Sequence, residues 1–207
     1  MRRILLATAA VAIALTALPV ASAEAATDCR LSGSRTVVRS SEALVTTKSG
    51  RLYACRFRTG RIFLIENAGR DTRQDPGTCH AHGIRSSEPR ARRPKLAGAY
   101  LAYIRSCEVG SQEAEQLRVV DLRSGRVKLR AANGGDEVHD FVVKRNGSSA
   151  HIGDFTGSGR EVRRMDRRGV ETVGSGSTID SDSLSLSRTR RSVTWLDAGV
   201  RRRASLR

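Results

Sequence analysis

Aromatic side chains are scarce in this 207-residue chain: 4% of residues, with one tryptophan, Trp195. Few rings are available to stack bases, which argues against nucleic-acid recognition. Lysine is nearly missing, with 4 against 33 arginines. That skew is typical of GC-rich coding sequence. Only 4 prolines occur. No stretch sustains a 3.6-residue apolar period, so long amphipathic helices are not expected. No serine stands in a G-x-S-x-G setting, which removes the usual nucleophile-elbow signature. The Gly-rich run Gly153–Gly159 lacks a P-loop lysine and a following helix pattern, so it is not a nucleotide cradle. It offers only Asp154 as a carboxylate, too few for a calcium loop. No cofactor is implied.

What the chain does contain is strand hairpins. The clearest is Gln116–Arg130. Val127 and Leu129 alternate with Arg126, Lys128 and Arg130 around a Ser124-Gly125 turn. Period-two alternation marks a half-buried strand, and glycine supplies the positive φ of the turn. Poorer copies recur. TVVRS, EALVTTKS, RLYACRF and RIFLIEN form a four-strand meander between residues 36 and 67. Asn146-Gly147 predicts that Val138–Lys144 pairs with Ser149–Phe155. Arg168-Gly169 turns a further hairpin, and Ala198-Gly199 the last one.

The turn glycines Gly60, Gly125, Gly169 and Gly199 stand 65, 44 and 30 residues apart. A clean propeller repeats every 40 to 50 residues or so. The long first step contains a polar, Pro-rich span at 69–95, read as a loop insertion and a candidate recognition loop. The short last step predicts a final unit lacking one strand. Arg35–Ser40 is the segment that could supply it and close a ring. The expected fold is all-β, a small propeller-like array of about four antiparallel blades in a single domain at 26–207. A β-sandwich of similar strand count is the alternative.

Residues 1–25 read as a secretory signal peptide. Arg2-Arg3 precede an apolar run from Ile4 to Val20, and Ala21-Ser22-Ala23 and Glu24-Ala25 offer cleavage sites. Export would leave no retained transmembrane segment. Net charge is +16, and cleavage after Ala25 would leave +15. Such a charge fits a polyanionic partner such as a cell-envelope polymer, anionic lipid or extracellular DNA. It equally fits arginines dispersed over solvated sheet faces. The four cysteines, Cys29, Cys55, Cys79 and Cys107, fit two disulfides in an oxidising compartment. Three pairings are open. Sequential pairing, Cys29 with Cys55 and Cys79 with Cys107, ties down the irregular segment around Cys79. Cys79, His80 and His82 could instead contribute to a metal site, although no second cluster of ligands accompanies them.

The closing unit Ser183-Leu184-x-Leu186, Val193-x-Trp195, Gly199 and Leu206 resembles the end of secreted repeat proteins from GC-rich actinobacteria. Tyr53-Ala54-Cys55 with Thr59-Gly60-Arg61, and Asp121-Leu122 with Ser124-Gly125, resemble earlier parts of the same family. The resemblance covers most of the mature chain. It implies a TolB-type or WD40-like propeller and carries no catalytic residue.

The remaining candidates for chemistry are His139 with Asp140, and His151 with Asp154. These could form acid–base pairs on neighbouring strands. If they served a secreted hydrolase or lyase, His139 and His151 would share one pocket. If the chain is an exported interaction or scaffold protein, they would not converge. A polyanion-binding protein, the third reading, predicts one contiguous basic face and steep salt dependence. Trp195, on an alternating strand, is expected in the core.

Overall fold

The computed structural model describes residues 29, 31–67, 79–81, 92–109, 112–130, 137–155 and 159–207. The signal-peptide segment, His82 and most of the 69–95 span lie outside these residues. Among the described residues, sixteen strands form four antiparallel sheets that follow one another along the chain. The first holds β1 (Arg35–Arg39), β2 (Ala43–Lys48), β3 (Arg51–Arg56) and β4 (Ile62–Asn67) in sequence order. The second holds β5 (Cys79–Ala81), β6 (Lys95–Ala97), β7 (Tyr100–Val109), β8 (Gln112–Asp121) and β9 (Arg126–Arg130). The third is the meander of β10 (Val138–Val143), β11 (Ser149–Phe155), β12 (Gly159–Asp166) and β13 (Gly169–Ser175). The fourth has β14 (Ser185–Leu186), β15 (Ser192–Asp197) and β16 (Val200–Ser205).

Each meander follows from tight turns whose Gly-containing tips reach positive φ. Gly125 (φ 70°) and Gly147 (φ 85°) are two of them. At Gly125 the ring of Phe63 also approaches, so a Cβ would stand 2.6 Å from its Cδ1. The predicted hairpins are present. Val142 pairs with Ala150 across the Asn146-Gly147 turn, and Asp166 pairs with Gly169.

The sheets stack face to face in chain order, and three apolar seams join them. Val45, Leu52, Leu101 and Tyr103 pack the first sheet on the second. Ala102, Ile104, Leu117, Phe141 and Met165 pack the second on the third. Ile152, Val162, Val193 and Trp195 pack the third on the fourth. A fully buried side chain of this kind contributes about 1.5–3 kcal/mol. The continuous apolar run Tyr100–Ile104 is explained by this stacking: its strand is covered on both faces, so alternate residues serve different seams. The first strands of the sheets also meet, with β1 against β6, β6 against β10 and β10 against β14. Sheets radiating from a shared set of inner strands make a propeller-like array of four blades, not a two-sheet sandwich.

Two expectations need correction. Arg35–Arg39 does not complete the last unit. It pairs with β2 of its own sheet, Arg39 opposite Leu44, because β2 offers an unpaired apolar edge a short turn away. No core cluster among the described residues joins the first and fourth sheets. Second, the span read as an irregular insertion contains a strand. Cys79–Ala81 pairs with Arg105–Cys107 of β7, while Lys95–Ala97 pairs with Tyr100–Ala102 of the same strand. β5 and β6 thus lie along the same edge of β7. The expected alternating strand at Ser183–Ser187 is only two residues long, supplemented by a bridge between Ile179 and Asp197.

Candidate functional site

Two disulfides close, Cys29–Cys55 and Cys79–Cys107, which is the sequential pairing. Cys79 stands directly opposite Cys107 in the β5–β7 ladder. The bond therefore fastens the short β5 to the long β7. Disulfides of this kind suggest an extracytoplasmic protein. Cys79 Sγ is bonded to Cys107 and is not a thiolate ligand. His80 lies on β5, and His82 is outside the described residues. Among the described residues no group of three or more His, Cys, Asp or Glu could hold a metal ion.

The histidines and aspartates separate into three environments. His139 Nε2 lies 2.9 Å from Asp154 Oδ2, off the direction of the ring N–H. Its Nδ1 is 3.8 Å from Glu137, and Arg160 Nε is 3.6 Å from Asp154. This is a half-exposed charge cluster at the end of the β10–β11 pair.

Asp140 is buried, although it neighbours His139. Its Oδ1 accepts from Lys95 Nζ at 2.9 Å and from the Phe141 amide at 2.7 Å. Burial raises its pKa, and Lys95 acts in the opposite direction. Lys95 also donates to the Phe141 carbonyl and sits 4.6 Å from the centre of the Phe141 ring. A bulge in the β10–β11 register between Val138 and Asp140 accompanies these divided roles.

His151 is fully buried, and neither ring nitrogen has a hydrogen-bond partner among the described residues. It pairs across strands with Phe141 and Arg163, and its ring centre is 6.0 Å from that of Phe155. Burial, reinforced by the Arg163 charge and opposed by Glu161, pushes its pKa down to about 3. The neutral imidazole is the form the fold accepts.

Strand residues three apart point to opposite faces. His151 and Asp154 therefore lie on opposite sides of the third sheet, and His139 goes with Asp154. His151 faces the seam with the second sheet, where Phe141 and Met165 pack. The four candidates do not converge on one pocket.

A concave site does exist elsewhere. The first strands of the second, third and fourth sheets surround a groove of about 470 Å³. Leu96, Val142 and Leu186 line its walls, and Lys95, Arg188 and Arg190 supply its charge. Arg190 holds φ at 55°, a left-handed conformation rare for a residue with a Cβ. The turn that imposes it is closed by Arg190 N–H to Ser187 O at 2.7 Å and Ser192 N–H to Ser187 Oγ at 3.2 Å. Sequence reasoning missed these residues. The available signal was Arg188-Thr189-Arg190-Arg191, three cations in four positions directly after an alternating strand.

No protein-family model and no curated protein matches the chain. Among solved structures it is similar to TolB from Acinetobacter baumannii, with a TM-score of 0.40 and 15% identity over 80% of this chain and 41% of that one. It is also similar to the tricorn protease, with a TM-score of 0.37 and 19% identity over 74% of this chain and 18% of that one. A third is the extracellular domain of a one component system from B. thetaiotaomicron, with a TM-score of 0.38 and 13% identity over 83% of this chain and 22% of that one. The chain spans less than half the length of each of these structures.

Proposed function

We propose that the chain is an exported, non-enzymatic interaction protein: residues 1–25 direct Sec-type export, and the four-sheet scaffold presents its loops and axial groove to a component of the cell envelope. The observation that carries this reading is the separation of His151 from the His139–Asp154 pair by the thickness of the third sheet. A hydrolase or lyase needs its acid, base and substrate within hydrogen-bond reach of one another. Here one histidine is sealed in a seam, one aspartate is committed to Lys95, and the remaining pair is tied to Glu137 and Arg160. A rigid β scaffold with variable loops suits recognition.

The test is incubation of the purified mature protein with envelope material from its host. Saturable co-sedimentation, with the material chemically unchanged, is expected. Release of soluble fragments that stops on His139→Gln would overturn the reading in favour of a hydrolase. Export is checked by sequencing the N-terminus of the extracellular form, which should begin at Glu24 or Ala26.

A further inference from the structure

The fourth sheet ends the array with a face unlike the other sheets' seams. Val193 and Trp195 turn toward the third sheet. By alternation their neighbours turn away: Ser185, Thr194 and Arg203 form one cross-strand row, and Leu196 and Arg201 the next. Ser185 Oγ and Thr194 Oγ1 are 2.8 Å apart, and Arg203 Nε donates to Ser192 Oγ at 2.7 Å. This outward face is hydroxyl and guanidinium, not the apolar surface that the inner seams bury.

Its charges are also unbalanced. From Ser183 to Arg207 there are seven arginines and one acid, Asp197, which Arg202 approaches at 3.5 Å. Arg188, Arg190, Arg191, Arg201 and Arg207 are all exposed. Their side chains make no hydrogen bond, ion pair or ring contact among the described residues. Some arginines elsewhere are matched: Arg92 with Glu115 and Glu137, Arg105 with Glu66, Arg145 with Glu42. The third sheet, next door, pairs Arg163 with Glu161 and Arg164 with Glu171.

Guarding an open edge with cations accounts for Arg201–Arg203 on the last strand. It does not account for the turn at residues 187–191, which lies at the groove and not along that edge. Nor does it account for Arg190, which keeps a long cationic side chain where glycine would relieve the backbone. A strained position that retains a charged residue points toward use of that residue.

We propose that the outer face of the fourth sheet, with the Arg188–Arg191 turn, binds a linear polymer of phosphate groups. The guanidinium fork matches phosphate oxygens in pairs, and the serine and threonine hydroxyls can donate beside it. The face carries no exposed aromatic to stack a base, since Trp195 is buried against the third sheet. It also has no exposed large apolar side chain to enter a bilayer apart from Val200 at its rim. The polymer backbone itself is therefore the feature recognised. This inference deepens the interaction reading and depends on it.

The probe is end-labelled inorganic polyphosphate, titrated into the full mature chain by fluorescence anisotropy. Counterion release of roughly 0.7 per neutralised charge, over five unpaired arginines, predicts about 100-fold weaker binding on going from about 50 to 200 mM salt. The triple variant Arg188→Ala/Arg190→Gly/Arg191→Ala should bind at least about tenfold more weakly and lose about 2 from the salt slope. Arg51→Ser/Arg56→Ser/Arg58→Ser removes the same charge from the first sheet and should change affinity by less than about twofold, since those arginines lie outside the proposed face. Equal losses in both variants would mean diffuse charge and overturn the proposal. So would heparin binding as tightly as polyphosphate at matched charge, which would reassign the face to sulfated glycans. A chain that sediments with envelope material yet ignores polyphosphate would refute this inference and leave the interaction reading standing.

Discussion

His151→Leu converts the buried histidine into a measurable pH dependence. In the folded chain the imidazole titrates near 3, because burial and Arg163 disfavour the cation. Unfolded, it titrates near 6.5. Between these values the unfolded chain binds a proton that the folded chain refuses, so stability falls as pH falls. The full contribution is in place above about pH 6.5. It is lost at about 1.4 kcal/mol per pH unit, roughly 2 kcal/mol by pH 5 and at most about 5 kcal/mol by pH 3. Leucine is of similar volume and has no group to titrate. It also removes two buried nitrogens that have no partner among the described residues, each of which costs about 1–3 kcal/mol. The variant should therefore equal or exceed the parent in stability at pH 7, and lead it by a further 2 kcal/mol or so at pH 5. Urea unfolding at the two pH values, followed by Trp195 fluorescence, reads this directly. A gap that stays constant within about 0.5 kcal/mol would refute the claim that His151 is held neutral in the seam.

Two other substitutions probe the seams. Gly174 lies under the single tryptophan, where a Cβ would stand 2.7 Å from Trp195 Cζ2. Gly174→Ala should cost about 1–3 kcal/mol through overpacking and shift the fluorescence maximum, whereas Gly169→Ala, strained by its φ of 116° but with open space at its Cβ, should lose stability and leave the native emission unchanged. Lys95→Met leaves the Asp140 carboxylate buried without its cation, and should destabilise by about 3–5 kcal/mol at pH 7. Its deficit should shrink as pH falls. Burial already raises the Asp140 pKa, and losing Lys95 raises it further, so protonation neutralises the stranded charge.

Strand positions were legible because alternation and turn chemistry are local. Ser124-Gly125 and Asn146-Gly147 each mark a hairpin within a few residues. Pairing partners at longer range were less so. Cys79–Ala81 offers three residues of strand in a polar setting, and only the opposite strand β7 with its Cys107 gives them a ladder. TVVRS is legible as the first strand of the first meander, where it lies, and its alternative use in closing the last unit fails because β2 takes its edge. The candidate site suffered from a related blindness. Along Ser149-Ala150-His151-Ile152-Gly153-Asp154 the histidine alternates with apolar residues and looks like part of a solvated face. At His151 neither face of the third sheet is solvated, because the second and fourth sheets cover its inner strands on both sides. Alternation tells which residues share a face; it cannot tell which sheets are internal.

The two terminal sheets meet the same physical problem with different chemistry. An end sheet has one face with no neighbour to bury it. The first sheet covers part of its outer face with its own chain. The Cys29–Cys55 bond brings Cys29 onto Leu44 and Cys55, and Phe57 packs beside them with the Arg39 guanidinium 4.8 Å from its ring centre. Leu64, 57% exposed, still lies outside that cover. Among the described residues the fourth sheet has no such cover and instead presents hydroxyls and arginines to solvent. A polar end face would suffice for solubility with balanced charges. Seven arginines against one aspartate exceed that requirement, and their mutual repulsion is a cost to the folded chain. An anionic partner laid across the face would offset that repulsion, so a region that strains the fold electrostatically also gains from being bound.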